Sequence, residues 1–344
     1  MNGKLAGLMA CVVLILSAIL ATWFTVDRNF PHQHLLGDPL DDPDLVSADI
    51  GEKVLLDKSD YHLNEYLFRN LAGELLLCAP VTFYTQENGE LFLFRQSQED
   101  CVRSECKYAI QISPKDAAGS YRTEQNDSDR IITFADYNYL DTSERKSVIV
   151  IDGFREKEDI RLDISRFEKS LYSYDYDSWL YGYKEKINIL CFINYFLLYE
   201  LAYPGNCREN TALLYYDSNG RYSICTGDFP GSGYYGGKTD YHNLISSAWF
   251  TMLLKSPAFT ENMIDEYRYH REHLFSEAYL VSYLEELSAF LSQSELIDKE
   301  SLNRQKEALC GYLHDRLQWL DNNIGSLREF SALSAVKEYR NTPY

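Results

Sequence analysis

Apolar and polar positions divide this chain into stretches of different character. Leu5 to Phe24 is an almost unbroken apolar run without a charge. About 20 residues of helix cross a bilayer core, so the run predicts a membrane helix over residues 5–25. Lys4 and the terminal amine favour keeping residues 1–4 in the cytoplasm, which places the rest of the chain outside. A cleaved signal peptide is the competing reading. The run is long for a signal core and lacks a good small-x-small cleavage site, which favours an uncleaved anchor. Leu8-Met9-Ala10-Cys11 faintly resembles a lipoprotein box, but most of the apolar segment follows Cys11, which argues against lipidation.

Residues 26–58 read as an acidic linker, with Asp38-Pro39-Leu40-Asp41-Asp42-Pro43-Asp44 offering little to bury. The pattern turns helical from Tyr61 through Leu63, Tyr66, Leu67, Leu71 and Leu75, and Cys78-Ala79-Pro80 ends it. Val81–Tyr84 and Leu91–Phe94 are short apolar runs on either side of Asn88-Gly89, a hairpin signal because both residues tolerate positive φ. Residues 97–145 are polar and predict a loop-rich insertion. Ser147–Ile151 predicts a short strand, and residues 157–180 a short helix with charged surface. Ile187–Leu201 is a strongly apolar helix. Ala212–Tyr216 and Arg221–Cys225 predict a second hairpin, turning at Asp217-Ser218-Asn219-Gly220. From residue 244 to about 328 the pattern is helical, with breaks near Pro257, Ser276 and Leu296–Asp298. A globular domain over 59–330 and a tail over 331–344 follow.

The net charge of −19 argues against nucleic acid as a partner, since phosphate backbones attract lysine and arginine patches. Seven of the eight cysteines lie beyond the apolar run. Outside the cell disulfides are permitted. Cys101 with Cys106, and Cys207 with Cys225, are the candidate bridges, and Cys191 is the candidate free thiol. With no Cys-x-x-Cys and no nearby histidine pair, zinc is the weaker reading. The 28 tyrosines read as amphipathic surface packing. Glu266, His270 and His273 share a helical face, where a solvated charged surface outweighs a metal site. Gly231-Ser232-Gly233-Tyr234-Tyr235-Gly236-Gly237 lacks Walker spacing and reads as a loop. No Gly-x-Ser-x-Gly or His-Glu-x-x-His supports a hydrolase.

The segment from Trp249-Phe250 through Leu253-Leu254-Lys255-Ser256-Pro257-Ala258-Phe259 to Arg316-Leu317-Gln318-Trp319-Leu320 resembles the tail of the spore-coat CotH family. Arg69-Asn70, Ala79-Pro80 and Asn88-Gly89 match that family's helix, turn and hairpin in order and spacing. The resemblance covers roughly residues 60–328. It implies an α+β, atypical protein-kinase-like fold with a reduced N-terminal lobe and a helical C-terminal lobe, preceded here by one transmembrane helix. It also implies ATP- and Mg²⁺-dependent phosphorylation of secreted or cell-surface proteins. Mg²⁺ takes oxygen ligands. By resemblance, Asn206 fits the first catalytic-loop Asn, Asn210 and Asp228 the nucleotide and metal ligands, and Asp228-Phe229 the metal Asp with its aromatic neighbour.

The chain also departs from the family. Arg208 stands where the catalytic Asp is expected and can neither accept a proton nor hold a metal. Glu209 is the acid in the same loop that would substitute for it. Against the Trp-Asp-aromatic-Asp run that follows the hairpin in the family, Gly227 replaces the Trp and Pro230 the second Asp, and the family's Lys strand has no counterpart between Val46 and Tyr61. Lys53 and Lys58 are the lysines nearest that place. The expectation is a membrane-anchored, extracytoplasmic kinase relative with degenerate catalysis. The alternative is a non-catalytic surface binding or scaffold protein.

Overall fold

The computed structural model describes residues 51–80, 82–103, 108–114, 144–150, 157–173, 175–202, 212–216, 220–226, 229, 240–242 and 248–331. All of these belong to one unit, Asp42–Tyr344. The fold is α+β. No helix among the described residues is long and apolar enough to cross a membrane. The apolar run at 5–24 and the tail at 332–344 lie outside the described residues.

Three strands, β1 (Gly51–Leu55), β2 (Thr82–Glu87) and β3 (Glu90–Gln96), form an antiparallel sheet in the order β1-β3-β2. Asn88 and Gly89 hold φ of 51° and 80°, as the tight hairpin between β2 and β3 requires. β1 corrects the expected linker: its backbone pairs with β3 from Gly51↔Gln96 to Leu55↔Phe92. Its alternation of polar and apolar residues is too short to stand out in the sequence. Between β1 and β2 runs α1 (Leu63–Leu75), in which every residue except Gly73 and Glu74 is buried. The helix ends three residues before Cys78.

A second sheet has the order β5-β4-β6-β7, from β4 (Tyr108–Pro114), β5 (Glu144–Val150), β6 (Ala212–Tyr216) and β7 (Tyr222–Cys225), all antiparallel. α2 (Gln98–Arg103) precedes it. The stretch expected as a loop-rich insertion therefore contributes a short helix and a central strand. The strand expected near 147 is β5, which begins three residues earlier.

α3 (Lys157–Tyr172) leads through a single 3₁₀ turn, Tyr183–Glu185, to α4 (Ile189–Ala202). Residues 191–202 of α4 are all buried, as the apolar run predicts. α4 packs against α1, β7, α6 (Pro257–Glu272) and α8 (Lys299–Asn323). Between them lie α5 (Ala248–Leu253) and α7 (Glu277–Leu291). The chain then turns into a 3₁₀ segment, Ile324–Ser331. The expected breaks fall where they should. Ser256, Ser276 and Asp298 are the N-caps of α6, α7 and α8, and each side chain accepts from an amide of its own first turn.

The tyrosines depart from the sequence expectation. Tyr61, Tyr66, Tyr84, Tyr183, Tyr199, Tyr215, Tyr267, Tyr283 and Tyr312 are core residues. Several settle their hydroxyls inside the fold. Tyr84 donates to the Tyr61 carbonyl at 2.7 Å, and Tyr312 to the Leu201 carbonyl at 2.8 Å.

Candidate functional site

The site is built around the two ends of the α4–β6–β7 unit. At the C-terminus of α4, the last turn presents carbonyls that the helix cannot satisfy internally. Arg316 of α8 donates from Nε to the Glu200 carbonyl at 2.7 Å and from Nη2 to Glu200 Oε2 at 3.1 Å. Both side chains have no solvent exposure. Arg316 also reaches the Tyr241 carbonyl at 3.2 Å, and its guanidinium lies 4.7 Å from the Trp319 ring. His242 Nδ1 lies 2.9 Å from Glu200 Oε2, and its Nε2 lies 3.3 Å from Ser326 Oγ. With Tyr312 on the Leu201 carbonyl, this network fixes the C-terminal end of α4.

At the other end, β7 closes with Cys225 and Thr226, both fully buried. The Gln98 side chain donates to the Thr226 carbonyl, tying the start of α2 to the end of β7. Phe229 is fully buried. Its ring lies 5.8 Å from Phe68 on α1 and 5.2 Å from Tyr199 on α4, so it joins the two central helices.

A third group faces β3. Glu65 of α1 pairs with Arg95 of β3 at 2.5 Å and lies 3.9 Å from Arg69 Nη1. Arg69 is 1% exposed and donates from Nη2 to the Gln96 carbonyl at 2.8 Å. His62 Nδ1 stands 3.8 Å from Glu65, but burial lowers its pKa, which favours the neutral ring.

The residues singled out by resemblance, Asn206, Glu209, Asn210 and Asp228, lie outside the described residues, as do Arg208, Gly227, Pro230 and the glycine-rich stretch at 231–237. What is described is the frame on either side of them. Lys53 sits on β1, opposite Phe94. The Lys58 carbonyl accepts from Ser301 at 2.6 Å, so that lysine belongs to the junction with α8.

Two readings from the sequence change. His270 is 4% exposed rather than part of a solvated face, and it donates from Nε2 to Asn194 Oδ1 at 3.1 Å. Burial lowers its pKa from 6.5 to about 4. His273 turns to the Tyr269 carbonyl, at 2.7 Å, so the two rings do not share a ligand. Cys101 lies half-buried on α2 rather than in a polar loop. Its Sγ stands 2.6 Å from that of Cys78, and Cys225 completes a group of three. Cys106 and Cys207, their expected partners, lie outside the described residues. Cys191 is buried, with its Sγ 3.4 Å from the Ile224 carbonyl.

The Glu200–Arg316–His242 network carries no short motif, because its members are 42 and 116 residues apart in sequence. A charged residue on an otherwise apolar helix, Glu200, was the available signal. No protein-family model matches the chain, and the comparison with curated proteins found no match.

Proposed function

We propose that this protein is a CotH-like, kinase-related protein of the extracytoplasmic surface, in which a nucleotide site persists and phosphoryl turnover is degenerate. The observation that carries this reading is the seat of Phe229. By the resemblance Phe229 is the aromatic neighbour of the metal-binding Asp, and its buried ring is held between Phe68 of α1 and Tyr199 of α4. Asp228 is its neighbour in sequence. The buried α4, followed by the β6–β7 pair, supplies the order of elements expected around such a loop. The Glu65–Arg95 pair joins a helix to the sheet that would cover a nucleotide.

Within this reading Asp228 and Asn210 hold Mg²⁺, Asn206 orients the loop, and Glu209 stands in for the base that Arg208 displaces. Mg²⁺ held there would supply positive charge against the phosphates of a bound nucleotide. Positioning and electrostatics dominate phosphoryl transfer, so loss of the base alone need not abolish it.

The test is Mg²⁺-dependent ATP binding by the full chain, beside Asp228→Ala and Glu209→Gln. Binding that requires both Mg²⁺ and Asp228 supports the site. Transfer to a protein acceptor that is lost in Glu209→Gln would assign that residue as the base. A folded sample that binds no ATP at millimolar nucleotide overturns the reading.

A specific observation favours the alternative, a non-catalytic binding protein. Trp179, Leu180 and Tyr181 are 70%, 72% and 68% exposed on one turn. Gly182 packs that turn down, since a Cβ there would collide with the carbonyls of Tyr176 and Ser178. Exposed aromatics on a pinned turn suit a protein surface as partner.

A further inference from the structure

The cysteine group has a chemistry of its own, independent of the nucleotide reading. Cys78 follows α1, Cys101 lies in α2 and Cys225 ends β7, so three separate elements converge. Their three Sγ atoms lie within 4.8 Å of one another. Val102, Ala109 and Tyr215 enclose them. Cys78 and Cys225 are buried, and Cys101 is the member that solvent reaches.

We propose that Cys78, Cys101 and Cys225 form a thiolate site for a soft divalent metal ion, with Zn²⁺ as the ion. Thiolate sulfur selects such ions. Three thiolates around Zn²⁺ carry a net charge of −1, since −3 + 2 = −1. A buried charge of that sign needs a counter-charge. Arg69, itself 1% exposed, is a cation whose charge favours the Cys101 thiolate. A disulfide between Cys78 and Cys101 is neutral, makes no use of this charge and leaves Cys225 out.

Zn²⁺ takes cysteines as thiolates, so binding releases thiol protons to solvent. Zn–S bonds of ~2.3 Å place tetrahedral sulfurs ~3.8 Å apart, so the Cys78–Cys101 contact opens on binding. Among the described residues no fourth Cys, His, Asp or Glu joins the group.

The sequence concealed this site because metal motifs are recognised by close spacing. Here the ligands are 23 and 124 residues apart (101 − 78 and 225 − 101). The ion would join the end of α1 and the start of α2 to the end of β7, three residues before Asp228.

The experiment is metal analysis of the full chain purified in detergent without chelator, followed by titration of the stripped protein with Co²⁺. One zinc per chain is expected, with a sulfur-to-Co²⁺ charge-transfer band on substitution. Cys101→Ser and Cys225→Ser should lower affinity about tenfold or more, whereas Cys310→Ser, on α8 and outside the group, should not change it. If the serine variants fail to fold, the unmodified chain still decides, because bound Zn²⁺ should shield three thiols from a thiol reagent. Absence of stoichiometric metal after incubation with Zn²⁺ overturns the proposal. So does a Cys78–Cys101 disulfide in the purified chain, read as a mass lower by two hydrogens.

Discussion

His270 of α6 donates from Nε2 to the Asn194 side-chain oxygen of α4 at 3.1 Å, and Asn194 in turn donates to the Leu75 carbonyl of α1 at 2.8 Å. One chain of hydrogen bonds therefore joins three helices through the core. Because Asn194 donates to Leu75, its oxygen must accept, and His270 carries its proton on Nε2.

This arrangement makes stability depend on pH. Burial lowers the His270 pKa from 6.5 to about 4, with the charge of His273 adding to the effect. The unfolded imidazole binds its proton below 6.5, and the folded one only below about 4. The contribution is complete above pH 6.5 and is lost as pH falls toward 4, amounting to about 3 kcal/mol. Urea denaturation at pH 7 and pH 5 should show the loss, and His270→Gln should flatten the slope between them.

Arg316→Met should destabilise the fold by about 3–5 kcal/mol, because it takes the guanidinium away from the buried Glu200 side chain and carbonyl and leaves only the His242 ring beside that side chain. The double change Glu200→Gln with Arg316→Met should recover part of that loss. Chemical denaturation of the three variants checks the ordering. A loss below about 1 kcal/mol for the single change would mean that water enters the network and solvates Glu200.

Phe229→Ala removes a ring packed between Phe68 and Tyr199 and should cost about 3–5 kcal/mol. Phe229→Leu keeps most of the volume and should cost under about 1.5 kcal/mol. If the nucleotide site is as proposed, the leucine variant should still weaken Mg²⁺-dependent ATP binding, measured by calorimetry. Unchanged binding in a folded Phe229→Leu protein would separate this ring from any nucleotide site.

Ser256 caps α6 just ahead of Pro257 and is fully buried. Its hydroxyl accepts from Tyr183 at 3.0 Å and donates to Asp177 at 2.6 Å. Ser256→Ala therefore removes a cap and strands the Tyr183 hydroxyl, which should cost about 2 kcal/mol. Thermal unfolding of the alanine variant beside Ser256→Thr tests whether the hydroxyl is the operative group.

Much of the helical half of the fold was legible in the sequence. The run at 187–201 is too apolar to be anything but a core helix. The helices after residue 247 announce their starts with Ser256-Pro257, Ser276 and Asp298, whose side chains satisfy first-turn amides. Asn88-Gly89 specified its hairpin because few other pairs accept two positive φ values. β1 was missed because its pairing is through backbone alone. β4 was missed because its polar neighbours dominate a short window. His270 read as a surface residue since Arg268, Arg271 and Glu272 flank it, yet the helix turns it toward Asn194.

Local pattern determined the elements, because hydrogen bonds and side-chain sterics within a few residues decide helix, strand and turn. Only the tertiary structure decided that Glu200 meets Arg316, that Glu65 meets Arg95, and that Cys78, Cys101 and Cys225 converge. Those encounters depend on how whole elements pack, and packing brings together charges and sulfurs whose separation along the chain carries no periodic signal.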